Sequence, residues 1–232
     1  MKVAVVTGAS RGIGRAVAVL LAKQGAHVVA VGRAQKALEA LDDEIKAAGG
    51  SASLVPLDLK DYDAIDRLGG VIYERWGKLD QLVACAGILG ELTPMFDAPP
   101  KMVEEVLATN VLANHRIIRS LDPLLRAAPG ARAVFVTSGA AQNVRPYWGP
   151  YAMSKAALEA MVSAYAQEVA ITRIKVNLFD PGPTRTAMRA KAMPGEDPMT
   201  LPSAEEVASA LMPLLDETSD AHNTRVRFAR AG

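Results

Sequence analysis

Cysteine is almost missing from these 232 residues: Cys85 is the only one. An intramolecular disulfide and a cysteine-built metal site are both excluded, and a lone thiol fits a reducing compartment. Histidine is scarce as well, and His27, His115 and His222 show no metal-ligand spacing. Net charge is close to absent, with 26 Lys+Arg against 25 Asp+Glu. That balance, and the lack of a long basic run, argue against nucleic acid or an anionic membrane as partner. No window approaches 18 uninterrupted apolar residues, so no membrane span is expected. The apolar run at 3–6 is too short for a signal peptide. A soluble, cytoplasmic protein is the expectation.

What is present is apolar material in a regular order. Half of the residues are hydrophobic, enough for one large domain to bury a core without staples. Short β-rich runs at 3–6, 27–31, 53–57, 79–84, 133–137 and 174–179 alternate with helical patterns. The helical stretches cover about 13–24, 34–48, 61–76, 101–127 and 151–170. The strands are apolar throughout rather than alternating, which suits a parallel sheet covered on both faces. The order predicts a single α/β domain over 1–232, a Rossmann-type doubly wound parallel sheet with right-handed crossovers. Irregular stretches at 88–100, 139–150 and 181–202 each follow a strand at its carboxyl end, where open α/β sheets bind ligands.

Between the first strand and first helix runs Thr7-Gly8-Ala9-Ser10-Arg11-Gly12-Ile13-Gly14. Glycines there permit a tight turn and let a pyrophosphate reach the unpaired N–H groups of a helix start. The spacing is G-x-x-x-G-x-G, and a tight strand-to-helix turn with no ligand is the simpler alternative. The second strand ends Val31-Gly32-Arg33, with no acid to hold a ribose 2′-hydroxyl. Arg33, with Arg11 on the same side, would attract a 2′-phosphate instead, so the pair favours NADP(H) over NAD(H). Solvated surface charge is the plain alternative for both.

Tyr151 and Lys155 stand four apart at the start of a helical pattern and share a face. Ser138 ends a strand thirteen residues before Tyr151, and Asn110 lies in the preceding helical stretch. With these residues in order, the chain resembles the classical short-chain dehydrogenase/reductase family along nearly its whole length. The carrying motifs are TGASRGIG at 7–14, Asp58-Leu59, Ala86-Gly87, Asn110, Ser138, YAMSK at 151–155 and PGPTRT at 181–186. The run 181–198 further resembles a poorly characterised bacterial subgroup. The resemblance implies an NADP-dependent oxidoreductase acting on a small carbonyl or alcohol substrate. Tyr151 would be the general acid or base, Ser138 would orient the carbonyl oxygen, and Asn110 would anchor a relay water. Lys155 would bind the nicotinamide ribose and lower the phenol pKa. Gly8, Ser10, Arg11, Gly12, Ile13, Gly14 and Arg33 would hold the phosphates, and Asp58 and Leu59 the adenine end. Ala86 and Gly87 would lie against the cofactor ribose, while Pro181, Gly182, Thr184 and Thr186 would border the nicotinamide carboxamide.

Catalysis near neutrality needs the phenol about two to three pKa units below its usual value of about 10. A cation at about 4 Å and an effective dielectric near 20 supplies on the order of 4 kcal/mol, so Lys155 is expected to bring it down. Ala84-Cys85 replaces the family's usual pair of asparagines before Ala86-Gly87, and Cys85 reads as a buried, inert thiol. Met188, Met193 and Met199 suit a mobile apolar substrate wall or ordinary gap-filling; Arg145, Tyr147 and Trp148 would touch substrate or close the mouth. The helix at 151–170 carries a second, small-residue stripe of Met153, Ala157, Ala160 and Ala164, which predicts a homodimer or homotetramer. The tail at 226–232 lacks the family's common ending. Narrower or different readings are a 3-ketoacyl-thioester reductase and a non-catalytic NADP(H)-binding regulator.

Overall fold

Strands and helices alternate along the chain in the computed structural model, which describes residues 1–229. The strands are β1 (Val3–Thr7), β2 (His27–Gly32), β3 (Ser51–Pro56), β4 (Gln81–Ala84), β5 (Arg132–Val136), β6 (Lys175–Asp180) and β7 (Thr224–Arg227). All pair in parallel, in the order β3-β2-β1-β4-β5-β6-β7. The helices are α1 (Gly12–Lys23), α2 (Gln35–Ala47), α3 (Tyr62–Trp76), α4 (Pro100–Leu107), α5 (Ala113–Ala127), α6 (Gly149–Glu168), α7 (Ala187–Ala192) and α8 (Ala204–Leu211). The chain is the doubly wound α/β sheet that the strand pattern predicts.

The period-2 geometry of a strand explains why its apolar runs do not alternate. In β1, Val3 and Val5 face a core built with Leu68 of α3, Leu121 of α5 and Leu158 of α6. Ala4 and Val6 face the opposite core, with Val17 and Leu21 of α1, Leu41 of α2 and Val207 of α8. Each face therefore needs its own apolar set, and the strand supplies both.

Three differences from the sequence pattern have physical causes. The long helical stretch at 101–127 is interrupted by a wider π turn, Ala108–Leu112, which turns Asn110 fully inward. A π turn keeps helical periodicity on either side, so the pattern alone reads as one helix. β7 escapes the pattern because Thr-Arg-Val-Arg is an edge strand with exposed and half-buried positions, not an apolar run. The stretch at 181–202 is not wholly irregular: α7 lies inside it, and α8 follows, started by a capping box of Ser203 and Glu206. The tail reading at 226–232 falls partly on 230–232, outside the described residues.

Candidate active site

A cavity of about 1300 Å³ opens along the carboxyl ends of the central strands. The β1–α1 loop forms one wall. Gly8 and Gly12 take left-handed φ angles of 69° and 57°, where only glycine sits without strain. A Cβ on Gly14 would lie 2.4 Å from the Gly8 carbonyl oxygen, and one on Gly8 would lie 2.9 Å from Ala86 Cα. The glycines therefore let three backbone segments meet. Arg11 caps α1 without a side-chain hydrogen bond, and no acid occupies the first turn. The helix start keeps its positive end directed at the cavity. Arg11 and Arg33 are exposed on the cavity wall. Among the described residues, neither guanidinium has an ion pair or hydrogen bond. Asp58, Leu59, Ala86 and Gly87 continue the lining. A Cβ on Gly87 would come 3.2 Å from Asn110 Oδ1 and 3.6 Å from Lys155 Nζ.

Ser138, Tyr151 and Lys155 line the same cavity. Ser138 lies at the carboxyl end of β5 and accepts from Ala140 N at 3.2 Å. Tyr151 and Lys155 project from the first turns of α6, and both are buried. Lys155 Nζ donates to the Val136 carbonyl at 2.8 Å and sits 5.9 Å from the Tyr151 ring centroid. Asn110 does not reach the cavity. Its Oδ1 accepts from Ile88 N at 2.8 Å, and its Nδ2 donates to Ile88 O and Ser154 Oγ, both at 2.9 Å. Asn114 Nδ2 donates to the Asn110 carbonyl at 2.9 Å.

The electrostatics depart from the sequence expectation. Burial pushes the Tyr151 phenol up to about 12, opposed by the neighbouring Ser138 hydroxyl and reinforced, to a lesser extent than that, by the Asp180 carboxylate. Burial brings the Lys155 ammonium down to about 8, while Cys85 and Glu159 pull upward. Lys155 is not among the groups that shift the phenol, and burial sets the direction for both side chains.

Comparison with known proteins gives the family. The sequence pattern of the short chain dehydrogenases matches residues 2–197. The uncharacterized oxidoreductase YciK of Escherichia coli is 34% identical over 221 residues, covering 94% of this chain and 87% of its own. This protein belongs to the short-chain dehydrogenase family. A crystal structure of a family member from Salmonella enterica serovar Typhi superposes with a TM-score of 0.94 at 32% identity, over 97% of this chain and 95% of that one. Another from Escherichia coli, crystallised with NADPH, gives 0.93 at 33% identity, over 97% and 95%. The chain is an oxidoreductase of this family, and among the described residues no helix is long and apolar enough to cross a membrane.

The short-chain dehydrogenase site also contains residues that the sequence placed less firmly. Pro181, Gly182, Thr184 and Thr186 line the cavity beneath α7. Thr186 Oγ1 accepts from Arg189 N at 3.3 Å as the cap of α7, and a Cβ on Gly12 would lie 3.4 Å from its methyl. Met188 lines the cavity, and Met193 packs on the cluster of Leu89, Tyr151 and Ala192. Met199 instead points outward, 70% exposed. Trp148 and Arg145 line the cavity, while Tyr147 lies outside it in a separate groove. Cys85 is half-buried on the cavity floor, less enclosed than the sequence suggested, and burial pushes its thiol up to about 12. Asp180, Glu159 and Arg225 were missed. Asp180 had a usable signal, as an acid at a strand's carboxyl end before Pro181-Gly182.

Proposed function

We propose that this dehydrogenase moves a hydride between NADP(H) and the carbonyl carbon of an apolar ketone or aldehyde, with alcohol oxidation as the reverse. One observation carries the reading: Ser138, Tyr151 and Lys155 share a single cavity with the glycine loop and two unpartnered arginines. The cavity fits a dinucleotide on its own terms. The close backbone approaches at Gly8 and Gly14 make room for a pyrophosphate at the start of α1. Arg11 and Arg33 suit a 2′-phosphate, and the NADPH-bound relative supports that choice. Asp58 and Leu59 would border the adenine, Ala86 and Gly87 the ribose, and residues 181–186 the carboxamide, all of them on the cavity lining.

The reduced nicotinamide, when bound, supplies the hydride. Ser138 orients the substrate oxygen, and Tyr151 delivers the proton that the reduced oxygen takes up. A phenol held near 12 is fully protonated at neutral pH, which is the form that reduction uses. Lys155 would anchor the ribose, and Asn110, fixed by Ile88 and Ser154 behind the cavity wall, would hold the relay water as the family resemblance implies. Leu89, Trp148, Met188 and Ala192 surround Tyr151 with apolar surface, which favours an apolar substrate flank. A regulator that only binds nucleotide has no use for an ammonium buried at such cost. The outward Met153, Ala157, Ala160 and Ala164 stripe of α6, with Met153 38% exposed, supports assembly as a homodimer or homotetramer.

The test is Tyr151→Phe assayed with NADPH on a panel of ketones and aldehydes. Turnover should fall about 10²–10⁴-fold with NADPH binding retained by fluorescence titration. Equal turnover in the variant would refute the proton-donor role.

A further inference from the structure

Ser138 overhangs the sheet. The β5–β6 ladder ends at Val136 and Phe179, and one further bond, Thr137 N to Phe179 O at 2.9 Å, closes it. The Ser138 carbonyl finds its partner on β7, the strand that the sequence pattern hides. Arg225 Nη2 donates to Ser138 O at 3.2 Å and to Asp180 Oδ2 at 3.0 Å. Its Nε donates to Glu159 Oε1 at 2.8 Å, and Thr137 Oγ1 donates to the same oxygen at 2.7 Å. Asp180, 1% exposed, uses its other oxygen to accept from Gly182 N at 3.0 Å.

We propose that Arg225 is a positioning residue for the active site, holding Ser138, the α6 face and the Gly182 loop in register through one guanidinium. The inference rests on the oxidoreductase reading above. Each arm of the fork reaches a segment that carries a functional group. Ser138 is bonded through its own main chain. Glu159 lies one turn beyond Lys155 on α6 and two turns beyond Tyr151. Asp180 joins β6 to the turn at Pro181-Gly182. No apolar residue at 225 makes these bonds, and lysine supplies the charge without the planar fork. Arg225 also neutralises two carboxylates that face the reacting groups, assisted by Arg227 at 3.9 Å from Asp180. Of the neighbouring groups, Cys85 and Glu159 act on Lys155, and the Ser138 hydroxyl and the Asp180 carboxylate act on Tyr151.

The experiment compares wild type, Arg225→Met, Arg225→Lys and Glu159→Gln, first checked for folding by circular dichroism. Arg225→Met should lower kcat on the order of a hundred-fold, as a misplaced orienting group does, with the NADPH Kd and KM little changed. Arg225→Lys should recover only part of that loss, and millimolar guanidinium should raise the turnover of Arg225→Met. Charge gives a second readout that does not require turnover, the titration of Lys155 followed by heteronuclear NMR. Arg225→Met leaves the carboxylates unneutralised and should move that titration to higher pH, whereas Glu159→Gln should move it lower. If Arg225→Met fails to fold, Glu159→Gln decides the charge arm and Arg225→Lys the geometric one. An inactive wild type would refute the function proposed above and leave Arg225 to the NMR arm. Unchanged kcat in Arg225→Met, or titrations that do not move in opposite directions, would overturn the proposal.

Discussion

The two ends of the cavity are built by different means. The end formed by β1, α1 and β2 is made of backbone: glycines that admit close approach, a helix start without an acid, and exposed arginines with no partner. The end formed by β5, α6, β6 and β7 is made of enclosed charge: Lys155 and Asp180 are buried, and half-buried Arg225 braces Asp180 and Glu159 behind Ser138 and Tyr151. One end waits for its charges to be supplied by a ligand, and the other already holds its own in balance. Substitutions should therefore fail in different ways, by steric exclusion at the first end and by electrostatics at the second.

The largest effect that would sharpen this contrast comes from one methyl group. Gly14→Ala places a Cβ 2.4 Å from the Gly8 carbonyl oxygen and 3.2 Å from Cys85 Cβ. Neither neighbour is the end of a flexible chain, so the loop must move. Overpacking of this kind costs about 1–3 kcal/mol, occasionally more, and here it distorts the helix start itself. NADPH binding, read by fluorescence titration, should be lost while the far-UV spectrum survives. Tight binding by Gly14→Ala would show that the close packing at this end is dispensable.

At the other end the informative change removes a charge. Lys155 drops from 10.5 to about 8 on folding, and 1.36 kcal/mol per pKa unit makes this roughly 3 kcal/mol of instability at pH 7. The folded pKa is the lower one, so the unfolded chain binds the extra proton between about pH 8 and 10.5. Stability consequently rises with pH across that window and is lost as pH falls back to 8. Lys155→Met should be inactive yet more stable than wild type at pH 7, by about 1–3 kcal/mol after the Val136 carbonyl loses its partner. The advantage should shrink between pH 8 and 10.5 in urea melts. An advantage that stays constant with pH would mean that burial of the ammonium is not the cause.

The same contrast explains what the sequence disclosed. The glycine loop, Arg11 and Arg33 were legible because backbone freedom and charge without a partner are properties of residue type at a place in the chain. Ser138, Tyr151 and Lys155 were legible through the ordered motifs that resemble the family, since Tyr and Lys four apart on a helix would by themselves be a common coincidence. The ion network was not, since Arg225 reaches Ser138 and Asp180 only after β7 pairs with β6. An edge strand of exposed and half-buried positions gives no apolar run to announce it. The rise of the Tyr151 phenol was hidden for a related reason: proximity to Lys155 follows from i,i+4 spacing, but the depth of burial that raises the phenol is a property of the assembled core.

The smallest of these effects concerns selectivity. Arg33 follows β2 directly, where Gly32 packs so closely that a Cβ there would meet Ser10 Cβ at 3.3 Å. The glycine loop and the tip of β2 are thus one surface, and Arg11 and Arg33 stand on it together without an internal counter-ion. A guanidinium bonded to a phosphate contributes about 1.5–3 kcal/mol as a charge-assisted pair, and exposure to water brings it toward the lower figure. Arg33→Ala should therefore weaken NADPH by about ten-fold, and NADH, which lacks the 2′-phosphate, far less. High salt should narrow the difference between wild type and variant, because exposed charges are screened. If Arg33→Ala lowers both affinities equally, the arginine serves the adenine or the loop rather than the phosphate. If salt has no influence, the pair is buried by the ligand and belongs with the braced charges of the opposite end.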